Sequence, residues 1–355
     1  MRQILLATMA LLLAIVLSND SSAAKQNPHL DKYREAATRC HGGDYSPVRQ
    51  ELENAPIDGV QQELDAAGLL LCEQPELAAG LLDSIKNEML RAELLLRQAI
   101  GSRDSRGRRT CRLDDSFASR AAKLLDSKDP FVRGIADWAL AIRVGTDNDR
   151  RRFWPRPEDS AWFEAWAMGR PQHRLENDYV RQAVVSGIHH SPKKLNESAT
   201  QMIDRAERFV AAFNASFSVS DRDTIAAELQ VMARLLGRLK TLADVDFISA
   251  EGTAAARRHW LEMRHAARRI VDCHLTKACP QLAYVTRYSC IGPHNLASYS
   301  YHPTHFRPGG DVIIQSGSSP TSPTRALLRG RLGDGHVGGI DLHWDADRFV
   351  FAFTP

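Results

Sequence analysis

The chain has 355 residues, 46 of them basic and 43 acidic, for a formal net charge of +3. That near-balance argues against a dedicated nucleic-acid binder, which concentrates positive charge on one surface. The length suits two or three domains, each able to bury a core of its own.

Arg2 precedes an almost purely apolar stretch over 4–17, and Ser21-Ser22-Ala23-Ala24 then supplies small residues of the kind a signal peptidase reads. The run is shorter than the about 20 residues a spanning helix needs, so residues 1–24 read as a signal peptide, with an uncleaved anchor as the alternative. The expected localisation is export, to the periplasm or beyond, with no membrane attachment after cleavage. Export permits disulfides. Six cysteines (Cys40, Cys72, Cys111, Cys273, Cys279 and Cys290) allow 15 pairings. Cys273 and Cys279 are the expected local pair because Pro280 marks a turn behind them, with free buried thiols as the alternative.

From residue 30 to 279 the pattern is helical. Helices are expected over 31–40, stopped by Gly42-Gly43, then over 60–71, 75–82 and 85–100. An arginine-rich connection at 103–109 leads to a short helix over 117–125. Asp129 then caps another, with Pro130 at its first position and Val132, Ile135, Ala136, Ala139 and Ile142 on one face. The string Asp129-Pro130-Phe131-Val132-Arg133 with Ala136 and Ala139 resembles a HEAT-type repeat, in which the Asp and Arg tie neighbouring units together. Trp154, Trp162 and Trp166 suggest a packed aromatic face. Longer helices are expected over 196–213, after a capping box at Ser220-Asp221-Arg222-Asp223 to about 239, and over 254–275. On the last of these, Arg257, Arg258, Arg264, Arg268 and Arg269 form a basic face that could meet an acidic partner or lipid headgroups, with an ordinary solvated helix face as the alternative.

The character changes at Pro280. Strands are expected over 281–287, 311–315, 325–328 and 348–353, separated by Gly, Ser and Pro. Four short strands in this span make about one propeller blade. The chain is therefore expected to be α+β: an N-terminal all-α bundle or HEAT-like solenoid, then a small antiparallel β region resembling one blade. The domain reading is 1–24 signal peptide, 25–145 helical with the HEAT-like hairpin, 146–279 helical, and 280–355 an incomplete propeller-like blade.

Leu282-Ala283-Tyr284-Val285-Thr286-Arg287 opens this segment, and Tyr301-His302-Pro303-Thr304-His305 and Arg307-Pro308-Gly309-Gly310-Asp311-Val312 follow. It closes with Asp341-Leu342-His343-Trp344-Asp345-Ala346-Asp347-Arg348-Phe349-Val350-Phe351. Together these strings resemble the hydrazine synthase alpha-subunit-like proteins with their TolB/WD40-like blades, over about a fifth of the chain. Family blades carry glycine where Ala346 stands, and the family continues into further blades. The resemblance implies c-type haem in its founding member, attached through Cys-x-x-Cys-His. Here Ala37 precedes Cys40-His41 and Ile270 precedes Cys273-His274 in the position of the first cysteine, so covalent haem is not expected.

Cys290, His294, His302 and His305 are the candidate metal ligands, because thiolate and imidazole suit zinc or a redox metal. Hydrogen-bonding loop histidines are the alternative, and no other cofactor is expected. Gly333-Asp334-Gly335-His336-Val337-Gly338 matches Gly-x-Gly-x-x-Gly in form, but a strand-like run follows where a dinucleotide loop would open a helix. It reads as a turn. The expected function is an exported interaction or scaffold protein of the hydrazine-synthase-alpha-like group, without assignable catalysis, that meets a protein or glycan partner. The alternative is a periplasmic redox enzyme using a metal or non-covalent haem near His302 and His305.

Overall fold

In the computed structural model the described residues are 28–55, 60–101, 116–146, 171–244, 250–286, 311–318, 322–333, 336–345 and 347–354. They form an α+β chain of eleven α-helices followed by five short strands. None of the described helices is long and apolar enough to cross a membrane. Residues 1–27 and 102–115 and Trp154, Trp162 and Trp166 lie outside the described residues.

The chain divides into two compact units, the first comprising residues 1–144 and 180–191 and the second 145–179 and 192–355. In the first unit, α1 (Pro28–Thr38), α2 (Ser46–Glu53), α3 (Val60–Glu73), α4 (Pro75–Ser84), α5 (Glu88–Ile100), α6 (Phe117–Leu124) and most of α7 (Pro130–Thr146) follow one another. α3 packs on α1 and α5, and α5 on α6. α5 is the pivot. Asn87 caps it, its side chain accepting from the Leu90 amide at 3.2 Å. Every residue from 92 to 99 is buried, so α5 is a core helix rather than a surface one. Gly68 of α3 makes its close approach possible, since a Cβ there would lie 2.3 Å from Arg97 Cβ.

α7 begins as the sequence implies: Asp129 Oδ1 accepts from the Phe131 amide at 2.8 Å, and Pro130 takes the first helical position. Arg133 Nη1 donates to the carbonyl of Ser127 at 2.7 Å, a bond within its own hairpin. The last six residues of α8 (Pro171–Val185) also belong to this unit, and Gly134 leaves room for Val180.

In the second unit, α9 (Pro192–Phe213), α10 (Val219–Ala243) and α11 (Ala250–Ala278) pack pairwise into a three-helix bundle. Its core includes Met202, Ile225, Met232, Leu239, Trp260, Met263 and Ile270. The α10 cap falls two residues earlier than expected, because Ser218 and Asp221 make the reciprocal bonds of the box. The arginines of α11 are mostly engaged within the unit. Arg257 is buried, Arg264 stacks 4.2 Å over the Tyr179 ring, Arg268 donates to the Ser318 carbonyl at 2.7 Å, and Arg269 pairs with Glu228. The open basic face expected there is therefore reduced to Arg258, which is exposed.

The strands are β1 (Gln281–Thr286), β2 (Asp311–Ser316), β3 (Thr324–Ala326), β4 (His336–Leu342) and β5 (Phe349–Thr354). β1-β2-β3 form one antiparallel sheet and β4-β5 a second, with β1 running close to β4. In the register, Tyr284 faces Ile313 and Leu342 faces Phe349. The Gly333 region leads into β4, a strand and not a helix. Ala346 lies outside the described residues.

Candidate functional site: a buried carboxylate–histidine cluster

Two polar side chains one turn apart on α5, Glu93 and Arg97, point into the core of the first unit. The i,i+4 spacing puts them on one face, and Arg97 Nη1 donates to Glu93 Oε2 at 2.6 Å. Arg97 Nε also donates to Asp65 Oδ1 on α3 at 3.0 Å. Glu93 and Arg97 are both buried, Glu93 to within 1 % of full burial.

The other half of the cluster comes from the turn after α8. There the Gly187 amide bonds to the Val184 carbonyl and the Ile188 amide to the Ala183 carbonyl. With Gly187 at φ +62°, this is a Schellman cap, which needs the left-handed backbone glycine adopts cheaply. Pro192 then opens α9. The two consecutive histidines between these stops, His189 and His190, are thereby turned toward Glu93. Their rings lie 3.8 Å apart, tilted by 44°.

His189 Nε2 donates to Glu93 Oε1 at 2.5 Å; the acceptor is a carboxylate, so the proton sits on this nitrogen. His190 Nε2 is 3.4 Å from the same oxygen but lacks hydrogen-bond alignment, and among the described residues neither it nor His189 Nδ1 has a hydrogen-bond partner. Burial pushes the His189 pKa down to about 4, more than the Glu93 charge raises it, so the ring is neutral. Burial alone would raise the Glu93 pKa. The Arg97 charge and then His189 outweigh it and hold the carboxyl well below its ordinary range. The result is a carboxylate, a guanidinium and two imidazoles in a nearly fully buried cluster, of which His190, with a side chain 15 % exposed, is the most open member.

A second group, His343, Asp345 and Asp347, gathers at the β4–β5 connection, with His343 Nδ1 3.3 Å from Asp345 Oδ2. Both carboxylates there are mostly exposed.

The four ligands expected from sequence, Cys290, His294, His302 and His305, lie outside the described residues. Cys273 and Cys279 are free thiols. α11 continues to Ala278, and six residues of helix set two positions about 9 Å apart along the axis and about 120° apart around it, too far for a disulfide, so the turn expected at Pro280 comes too late to join them. Glu93, His189 and His190 were not signalled by any motif, since 96 residues separate His189 from Glu93. The visible cue was a His-His pair held between a helix-ending glycine and a helix-starting proline.

No protein-family model, no curated protein and no solved structure matches the chain.

Proposed function

We propose that the protein is an exported interaction protein whose β region docks a protein partner, carried on a helical body. The observation behind this reading is apolar exposure concentrated on one hairpin. Trp344 is 94 % exposed, Val350 70 % and Leu342 58 %. Leu342 pairs with Phe349 on one face, and Val350 pairs with Asp341 on the other, so both faces of the hairpin offer apolar surface. A two-stranded hairpin is marginal by itself. Among the described residues β5 has β4 as its single strand neighbour, which leaves backbone groups on its far edge for an added strand. A protein with an extended segment fits this edge better than a glycan does.

The likeness of 281–354 to hydrazine-synthase-alpha-like blades supports a propeller-type role for the hairpin. The stacking of α1, α3, α5 and α6 within the first unit supports a HEAT-like helical body. The signal-peptide pattern supports export. The alternative, a metal-dependent periplasmic enzyme, draws on the buried histidine cluster.

The test is a photo-crosslinking amino acid at position 344, irradiated in cells of the source organism. The expected result is one discrete adduct, lost when Leu342→Lys and Val350→Lys are combined. The absence of any adduct, or one indifferent to those changes, would overturn the reading.

A further inference from the structure

We propose that Glu93, His189 and His190 form a binding site for a divalent transition metal of the zinc class, with one coordination position left open. The inference is independent of the docking role proposed for the hairpin.

The donor set comes first. Two imidazoles and one carboxylate suit zinc, and three protein ligands with an open fourth position are the usual arrangement where the metal also takes water or substrate. One donor atom from each residue lies within 4.8 Å of the others. In a tetrahedral zinc site with bonds of about 2.05 Å, neighbouring ligand atoms are about 3.3 Å apart. His190 Nε2 and Glu93 Oε1 already stand 3.4 Å apart. His189 Nε2, at 2.5 Å from the same oxygen, has to open by less than an ångström, and the neutral ring moves its proton to Nδ1 as the cation takes Nε2.

The surroundings fit a cation as well. His190 Nε2 is buried and lies 3.4 Å from Glu93 Oε1 without hydrogen-bond alignment. A metal would supply the missing partner. Arg97 holds Glu93 Oε2 and leaves Oε1 for the ion, which is how outer groups orient ligating carboxylates. Arg97 is in turn paired with Asp65, so two carboxylates face one guanidinium and the cluster carries an excess negative charge. The slight exposure of His190 gives the ion a way in and places the open position on that side.

The alternatives on the surface are weaker. The His343, Asp345 and Asp347 group is mostly solvated, and nothing beyond its own side chains points to a ligand.

The experiment uses the full mature chain, stripped with chelator and titrated with Zn2+ by calorimetry and with Co2+ by visible absorption. The expected result is one equivalent bound, with the intense bands of low-coordinate cobalt. His190→Gln keeps a part-exposed side chain of similar size and leaves the His189–Glu93–Arg97 bonds in place, so it should fold. It should weaken metal binding at least about 100-fold, while His343→Ala leaves binding unchanged. No binding by the parent chain, binding that survives His190→Gln, or binding lost in His343→Ala would each overturn the site.

Discussion

Gly68 and Gly80 look alike in sequence, each a glycine inside a helix, yet their neighbours make them unequal. A Cβ at Gly68 would sit 2.3 Å from Arg97 Cβ, close to the backbone of the buried stretch 92–99 of α5. A Cβ at Gly80 would meet the outer ring atoms of Tyr45, at 2.0 Å from its hydroxyl, and Tyr45 is only half-buried and can swing away. Gly68→Ala is therefore expected to destabilise by about 1–3 kcal/mol, the usual cost of overpacking. Gly80→Ala should cost less, because the tyrosine yields and alanine favours helix. Denaturant midpoints of the two variants check the ordering. Arg97 gives the Gly68 contact its second consequence, since moving that helix also moves Glu93. Removing the charge partner alone, as Arg97→Met, strands a buried carboxylate and should cost about 3–5 kcal/mol, measured in the same way. None of this was readable from local patterning. Glu93 and Arg97 look like an ordinary surface ion pair at i,i+4, and their burial depends on neighbours supplied by α3 and by the turn after α8.

At the scale of elements, the helices expected from 60, 75, 117 and 130 start there, whereas α9 starts at Pro192 rather than at 196, and α2 and α8 were not foreseen. Pro75, Pro130 and the Asp129 side chain fixed their helix starts because proline and a capping carboxylate act through local geometry alone. α10 shows where this fails. Two serines, Ser218 and Ser220, precede its apolar positions, and only the first has a carboxylate three residues on that reaches back to its amide, at 2.7 Å. Ser218→Ala should then cost about 1 kcal/mol while Ser220→Ala costs a few tenths, a difference thermal unfolding can read. The β region was legible as strands but not as sheets. Pairing is a long-range choice, and two strands, β1 and β2, meet across the segment 287–310. Asp311 marks one fixed point in it: its carboxylate accepts from the amides of Leu327, Leu328 and Arg329 at 2.7–3.1 Å. Burial would raise its pKa, and those amides outweigh it and lower it.

For the whole chain, the ionisable groups that folding perturbs set a pH window, and the sign of each can be worked out. His189 is shifted down from 6.5 to about 4, so the unfolded chain binds the extra proton first; its contribution is complete above pH 6.5 and is lost as pH falls toward 4. Glu93 and Glu63 are also lowered, the first by Arg97 and His189 against its burial, the second by Tyr33, His29 and Lys32 against its burial. Their stabilisation is present above the ordinary carboxylate range and disappears below it. Asp221, lowered to about 2 by Lys277 and Ser218, extends the same trend to stronger acid. The alkaline side is set by groups shifted the other way. Cys273 is raised from 9.0, chiefly by burial, and Tyr33 is raised from 10.0 by burial and then by Glu63. Both favour the folded state while they stay protonated, and that gain is lost as pH rises past 9 and 10. Metal-free protein should thus show a plateau in melting temperature between about pH 6.5 and 9. The first decline on acidification should begin near 6.5, well before ordinary carboxylates titrate, because a buried histidine leads it. His189→Gln should remove that early step and leave the later carboxylate step in place. Were the early step to survive the substitution, the acid sensitivity would have to come from a histidine elsewhere, and His259, lowered chiefly by burial, would be the next to replace.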